Sequence, residues 1–526
     1  MGAIADSTQT LFPDDLDALP AGSVVDGALQ NREQSEIADY VVIGSGAAGA
    51  TSAQMLSAAG YSVIILEEGP WVRTREFGED VYPALKKMMR GAGANMTIGR
   101  AMFSVLQGRC VGGGTTINSA IALRAPERVV DRWNGQYGLK GNITYRELET
   151  HYDALDRTLA VRPVSSGSLG GHNRIFAEAA LKLNIKAEPI RRYDTGCEAS
   201  ASCLTGCRTG RKLGMNLSHV PQALQKGARI YTSTQALKVE RKYGRAVAVR
   251  ARFLSPSGSL LRVVARRGVI LAASAVQTPG ILARSGIGLP AVGKHFQAHP
   301  GTTIAARFDR PVSMNVGATQ GYNTTHFVDS DRFKIEALSF PSEMLATRVP
   351  GAGPRYMKSL MDYDYALNSA VVVRAESEGS IRSFMGRDLV FYNPNPTDMA
   401  RLRRGLRTVS EMMFAAGAAE VWPVAFGMPV LKSADDLKYW DNAPLDPRAY
   451  ALMISHLFGG ARMGTDPAKS VVGLDFQVHG TRGLYVMDSS LFPTNIGVNP
   501  QHTIMAVARL GTSRVIERPL PAAGSA

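Results

Sequence analysis

The chain is short of several things, and each shortage narrows what it can be. Cys110, Cys197, Cys203 and Cys207 are the only cysteines in 526 residues, too few to staple a chain of this length as a disulfide scaffold. No apolar run reaches the roughly 18 to 20 residues that span a bilayer as a helix, so no transmembrane segment is expected. The opening MGAIADSTQTLFPDDLDALP lacks both a basic n-region and an apolar stretch, so no secretory signal is expected. It does offer a short Met-Gly match to the N-myristoylation pattern, with Ser7 and Thr8 near the required place. Repeats and low-complexity tracts are absent, and no block of five or more like charges accompanies the net charge of +14. Scattered Lys and Arg favour a soluble surface with affinity for anionic substrates or headgroups over a nucleic-acid track. The expected location is the cytoplasm, with peripheral membrane association left open, and oligomeric state is not legible.

Glycine, by contrast, is plentiful at 53 residues, and 45% of the chain is hydrophobic. At this length one core stops growing, so two or more intertwined domains are expected. Structure is expected from Ile37, after a loose arm marked by Pro13 and Pro20. The stretch ADYVVIGSGAAGATSAQMLSAAGYSVIILEEG reads as strand, glycine turn, small-residue helix and second strand, one βαβ unit. Within it Gly44, Gly46 and Gly49 have the G-x-G-x-x-G spacing. That spacing allows a tight turn, backbone approach to a pyrophosphate, and close helix–strand packing. Glu67, at the end of the next strand, is placed to accept a ribose 2′-hydroxyl and disfavours a 2′-phosphate. A second glycine segment, QGRCVGGGTTINSAIALRAP, removes side chains at Gly112 to Gly114 where a flat ring could lie, with Asn118 as donor and acceptor at its edge. QALKVERKYGRAVAVRARFLSPSGSLLRVVARRGVILAAS predicts an antiparallel meander ending in a buried strand. The strand-like TTIAARF and SAVVVRAES with the helical PTDMARLRRGLRTVSEMMFAAG predict a separate sheet-and-helix domain. GLYVMD supplies a further strand, and a closing helix follows Pro500.

Taken together these blocks resemble the glucose-methanol-choline (GMC) family of FAD-dependent oxidoreductases from about residue 37 to 518. The matching blocks are DYVVIGSGAAGATSA with IILEEG, GRCVGGGTTINSAIALR, AASAVQTPGILARSGIG with VGKHFQAHP, and SHLFGGARMG with GLYVMDSSLFPTNIGVNPQHTIMAVA. The resemblance implies an α/β fold: a Rossmann-type FAD-binding domain, discontinuous in sequence, and a second α+β substrate domain on an antiparallel sheet. The expected division is an arm at 1–36, FAD-binding parts at 37–150, 226–299 and 456–518, a connecting segment with the cysteines at 151–225, a substrate domain at 300–455, and a tail at 519–526. It also implies that Gly44, Gly46, Ala48, Gly49 and Glu67 hold the ADP half of FAD, with Val239 at the adenine. Arg109, Gly113, Asn118 and Asp488 would line the pyrophosphate and flavin, and Pro500 and Gln501 would bring a helix N-terminus to the flavin O2. The family's active-site pair falls on His456 and Asn499, the His/Asn subset that includes cholesterol oxidase and long-chain alcohol oxidases. His502, three residues beyond Asn499, is the competing candidate.

The implied reaction is oxidation of a largely apolar alcohol by hydride transfer to flavin N5, with His456 as base and Asn499 orienting the hydroxyl. O₂ or another acceptor would take up the electrons. The alternative is non-redox or light-driven chemistry of the hydroxynitrile lyase or fatty-acid photodecarboxylase type. No histidine stands between Gly112 and Asn118, and Ile117 precedes the asparagine, so the FAD is expected to be non-covalent. Cys197, Cys203 and Cys207, in C-x5-C-x3-C spacing, leave three readings: buried or disulfide-forming thiols, an iron–sulfur cluster, or zinc with His219 as fourth ligand.

Overall fold

The computed structural model describes residues 18–521. In chain order the elements that position the site are β1 (Val24–Asp26), β2 (Gln34–Ile43), α1 (Ala47–Ala58), β3 (Val63–Leu66), β4 (Arg229–Thr232), β5 (Thr234–Lys242), β6 (Arg245–Phe253), β7 (Leu260–Leu271), α2 (Ser274–Arg284), β8 (Gln297–Phe308), β9 (Phe333–Ala337), β10 (Ala366–Val373), α3 (Pro396–Ala415), β11 (Ala418–Trp422), β12 (Met453–Phe458), β13 (Leu484–Val486) and α4 (Gln501–Glu517).

The first sheet runs β1-β4-β3-β2-β7-β6-β5, with β13 also against β7. Its β1-β4-β3-β2-β7 part and the β7–β13 pair are parallel, whereas β5, β6 and the first half of β7 form the expected antiparallel meander. One long strand joins the two regimes. β7 pairs with β6 through Leu260–Val264, slips register against β2 between Ala265 and Gly268, then pairs with β13 from Val269. A bulge of this kind bends and twists a strand, and it turns the meander away from the parallel core.

Structure begins earlier than Ile37. Val24–Asp26 pairs in parallel with Ile230–Thr232, and β2 starts at Gln34 opposite Leu261. The early residues of β2 alternate between exposed and half-buried, so they carry no apolar signal although their backbone pairs with β7. The Met-Gly pattern and the first seventeen residues lie outside the described residues, as do the last five of the expected tail.

The second sheet is antiparallel where it matters here: β12 pairs with β8, β8 with β10, β10 with β9, and β11 also lies against β8. α3 covers it, burying Met399, Leu402, Leu406, Val409 and Met413 at helical spacing. β8 starts at Gln297 and β12 runs to Phe458. Both therefore cross the expected limits of the 300–455 domain, and His456 belongs to the second sheet rather than to a nucleotide-binding segment. Among the described residues no helix is long and apolar enough to cross a membrane.

Candidate active site

The glycine turn after β2 is built as its spacing predicts. Gly44 takes φ +97°, which L side chains rarely adopt, and a Cβ at Gly49 would fall 1.9 Å from the Gly44 carbonyl oxygen, so α1 packs directly on the turn. Gly46 caps α1, and a Cβ there would meet no atom within 4 Å because that side opens on a cavity. Gly113, at φ +54°, would place a Cβ 3.1 Å from Gly46 Cα. The two glycine segments thus press against each other at the cavity wall.

That cavity is about 1380 Å³ and is lined by Gly44, Gly46, Ala48, Glu67, Gly113, Asn118, Asp488, Asn499, Pro500, Gln501 and His456. Small-molecule pockets usually hold about 300–1,000 Å³, so this one has room for a dinucleotide and a substrate together. The Glu67 carboxylate accepts the Ser45 N–H (3.0 Å), the Ser45 hydroxyl (2.7 Å) and the Gly69 N–H (2.8 Å). Burial pushes its pKa up, and those three hydrogen bonds oppose the shift. Asp488 accepts from Ser274 N–H (2.9 Å), Thr278 Oγ1 (2.6 Å) and Ser490 N–H (2.9 Å), and burial likewise raises it. Asn118 Nδ2 donates to Gln501 Oε1 at 2.6 Å, tying the second glycine segment to the start of α4. An open cradle at Gly46 under the unpaired N–H groups of the first turn of α1 fits the pyrophosphate of FAD.

Two expected cofactor residues lie elsewhere. Arg109 turns its Nε to Glu68 at 3.2 Å and is not part of the cavity wall. Val239 is buried in the sheet, its N–H donating to Ser285 Oγ at 2.8 Å, while Thr234, Gln235 and Ala236 of the same strand line the cavity. β5 therefore meets the cavity three residues earlier than expected, before its bulge between Ala236 and Lys238.

His456 and Asn499 do come together. Ala298 faces Leu457 and Pro300 faces Ile454, so Ser455 and His456 bulge opposite the single residue His299. Pro300 has no N–H for a regular ladder, and such bulges re-aim side chains. The result is a half-buried His456 whose Nε2 lies 3.4 Å from Asn499 Nδ2. Its Nδ1 lies 3.2 Å from Nδ1 of His299, which is 3% exposed. At the far side of that ring, His299 Nε2 lies 3.0 Å from Gly497 N and 3.2 Å from Asn495 Oδ1. One proton lies between the two Nδ1 atoms, and its position decides the far end of the His299 ring: on His299 it leaves Nε2 to accept from Gly497 N–H, and on His456 it makes His299 Nε2 a donor to Asn495 Oδ1 instead. When it rests on His456, Nε2 of His456 is an unprotonated acceptor facing the cavity and His299 Nε2–H points to Asn495. Burial holds the His456 pKa down at about 4, with Glu336 opposing and Lys334 reinforcing the shift.

Lys334 and Glu336 are the larger surprise. They alternate on β9, so both project to one face, and they are 1% and 4% exposed. The Lys334 ammonium contacts both the Glu336 carboxylate and Asn499 Oδ1, and Gln320 Nε2 donates to Glu336 Oε2 at 2.8 Å. Because the ammonium takes the amide oxygen, the amide NH₂ of Asn499 is the end turned to His456. Burial lowers the Lys334 pKa, and Glu336 opposes that. Burial would raise Glu336, but the ammonium outweighs it and holds the carboxyl below its ordinary value. Nothing in a single sequence marks FKIEA as a strand with a buried ion pair, since K-x-E reads as a solvated face. His299 is the penultimate residue of the VGKHFQAHP block and is visible there, though nothing local links it to His456.

The competing His502 is out of reach of this chemistry. It is fully buried outside the cavity, with Nδ1 2.8 Å from Tyr193 Oη, Nε2 3.2 Å from Asp156 Oδ1, and its ring stacked on Tyr152. The metal readings of the cysteines also fail. All four thiols are unpaired, and no group of three His, Cys, Asp or Glu among the described residues could hold a metal ion. Cations take that place instead: Arg192 Nη2 donates to Cys203 Sγ at 3.4 Å and Lys212 Nζ to the Cys203 carbonyl at 3.0 Å. His219 is committed to Thr51 Oγ1 at 3.1 Å.

Comparison with known proteins agrees with this geometry. Profiles described as GMC oxidoreductase match residues 85–301 and 389–508, and a pyridine nucleotide-disulphide oxidoreductase profile matches 39–105. An uncharacterized GMC-type oxidoreductase of Mycobacterium tuberculosis is 36% identical over 476 residues, 90% of this chain and 74% of that one. A long-chain-alcohol oxidase of Arabidopsis thaliana is 25% identical over 516 residues, covering 91% of this chain and 66% of the relative. Among solved structures, formate oxidase superposes with a TM-score of 0.74 at 15% identity, over 92% of this chain and 98% of that one, which supports the fold. A cradle for a dinucleotide, a second sheet that brings a histidine to it, and a 36% identical relative over most of the chain lead to one conclusion: the chain belongs to the GMC oxidoreductase family and is an FAD-dependent oxidoreductase.

Proposed function

We propose that the chain oxidises a largely apolar alcohol to the aldehyde or ketone, with His456 taking the hydroxyl proton. The approach of His456 Nε2 to within 3.4 Å of Asn499 Nδ2 at the cavity wall carries this reading. An alcohol carbon gives up hydride readily only as its hydroxyl proton leaves, so an acceptor for that proton is the first requirement. Neutral His456 provides it through Nε2, His299 fixes the ring through Nδ1, and Asn499 NH₂ donates to the oxygen as negative charge develops there. Bound FAD supplies the acceptor for the hydride. Similarity to the long-chain-alcohol oxidase of Arabidopsis supports an alcohol substrate, and the electron acceptor, dioxygen or another, is to be read from the peroxide formed per carbonyl product.

The test is anaerobic: alcohols of graded chain length are added to the holoenzyme and flavin absorbance is followed. Bleaching is expected. A flavin that stays oxidised throughout turnover would instead support lyase or light-driven chemistry. Since Ile117 occupies the place before Asn118, acid precipitation is expected to leave flavin colour in the supernatant, and colour in the washed pellet contradicts non-covalent FAD.

The pH profile gives a second check. A base works unprotonated, and the His456 pKa is depressed to about 4. kcat/KM is therefore expected to stay level from alkaline pH down past the ordinary histidine value of about 6.5 and to fall only as pH approaches about 4. A limb centred at an ordinary histidine pKa overturns the assignment of that pKa to the base.

A further inference from the structure

The cavity wall holds a charge that the protein does not balance. Arg348 is 7% exposed, and its Nε donates to Thr303 Oγ1 at 2.8 Å. Among the described residues no carboxylate pairs with its guanidinium, and its terminal nitrogens have no protein partner yet are not sealed from the cavity they line. Arginine does not shed its proton in proteins, and burial is the single influence on its pKa, pulling it down. A desolvated cation without a counter-charge is costly. The acids in this part of the wall are otherwise engaged: Glu343 takes the Ser342 hydroxyl (3.1 Å) and the Val81 N–H (3.5 Å), and Glu336 is held by Lys334 and Gln320.

We propose that Arg348 seats a carboxylate carried by the substrate at the end remote from its hydroxyl, so that the substrate class is a hydroxy acid with an apolar middle. This rests on the alcohol-oxidation reading above. Thr303, which holds Arg348, lies four residues beyond His299 on β8, roughly 13 Å of strand at about 3.3 Å per residue. Leu338, Phe340, Met344 and Val371 line the same cavity and suit a hydrocarbon chain. A guanidinium fork receives a carboxylate through two parallel hydrogen bonds, and one monoanion cancels one cation. The dinucleotide phosphates belong at α1 on the first sheet, whereas Arg348 is fixed to the second.

The experiment compares a medium-chain ω-hydroxy carboxylate, its methyl ester and the plain primary alcohol of equal length on the wild-type holoenzyme and on Arg348→Met. In the wild type, kcat/KM for the hydroxy carboxylate is expected to exceed that for the ester by about tenfold or more, in line with a charged hydrogen bond. The variant should lose that preference while oxidising the plain alcohol as before. A binding arm needs no turnover: the saturated fatty carboxylate of the same length should raise the Tm of the wild type and not of the variant, with inorganic phosphate and sulfate as comparison anions. Equal ratios in both proteins with no differential Tm shift overturn the proposal, as does a tighter response to phosphate or loss of FAD from Arg348→Met. If no alcohol bleaches the flavin but the carboxylate still stabilises only the wild type, the anion seat stands and the oxidation reading falls.

Discussion

His456→Ala is expected to keep its FAD, with a lower Tm because the buried His299 Nδ1 loses its partner, but to be reduced by alcohol about 10² to 10⁴ times more slowly, the range over which a positioned base contributes. Retention follows from where the side chain sits: His456 hangs from β12, whereas the cradle is made by Gly44, Gly46 and Gly113 on the other side of the cavity. The loss of rate follows from the absence of a substitute. Among the cavity-lining groups His299 is the other imidazole, and it is 3% exposed with its ring nitrogens directed to His456, Gly497 and Asn495. Single-turnover bleaching under anaerobic conditions measures the effect directly. A variant that bleaches at the wild-type rate removes His456 as base.

Lys334→Met is expected to act on stability and on rate together. It leaves the Glu336 carboxylate buried with Gln320 as its remaining side-chain partner, and breaking a buried pair by removing one member costs about 3–5 kcal/mol. It also frees Asn499 Oδ1, so the amide is no longer obliged to present NH₂ to His456. Lys334→Met with Glu336→Gln separates the two effects: the double variant should recover most of the Tm while alcohol oxidation stays slow. Wild-type kcat in the double variant would mean that the ammonium serves folding alone. The pH dependence has a fixed sign. Lys334 holds the Glu336 pKa below its ordinary value, so the carboxylate's share of stability is present above the unfolded value of about 4.3 and is lost as pH falls through the lower folded value. The double variant should lack that acid-side loss.

The parts of this molecule that use backbone repetition were legible in the sequence. Gly44, Gly46 and Gly49 announce a turn in which Gly44 and Gly49 leave no room for a side chain, and VVI and VIIL are apolar enough to be central parallel strands. α3 and α4 are visible from helical spacing and from the proline at the start of each. Polar or very short strands were not legible. The start of β2 is ordered by pairing rather than by apolar burial, and β1, whose Val24 and Val25 pack on the core, is too short at three residues to show a period, so both read as an arm. The site divides the same way: family blocks single out His456 and Asn499, which the fold brings to within 3.4 Å of each other, whereas Thr234 to Ala236 rather than Val239 line the cavity, because β5 meets it before a bulge. Lys334, Glu336 and Arg348 stayed hidden because residues that look solvent-facing in sequence are buried by contacts from other elements, such as Asn499 for Lys334, Gln320 for Glu336 and Thr303 for Arg348.

The bulge at Ser455 and His456 also bears on how such a protein can diversify. On the proposed reading His456, the base, is fastened to the second sheet through β12 and β8, while Asn499 precedes α4, which is bonded to α1 by Thr512 Oγ1 and Ser52 Oγ at 2.9 Å. A lineage that reshapes the second sheet for a new substrate therefore carries the base along with the new wall. Proton acceptor and substrate stay matched through such drift, and the alignment that selection must keep repairing is the contact between His456 and Asn499.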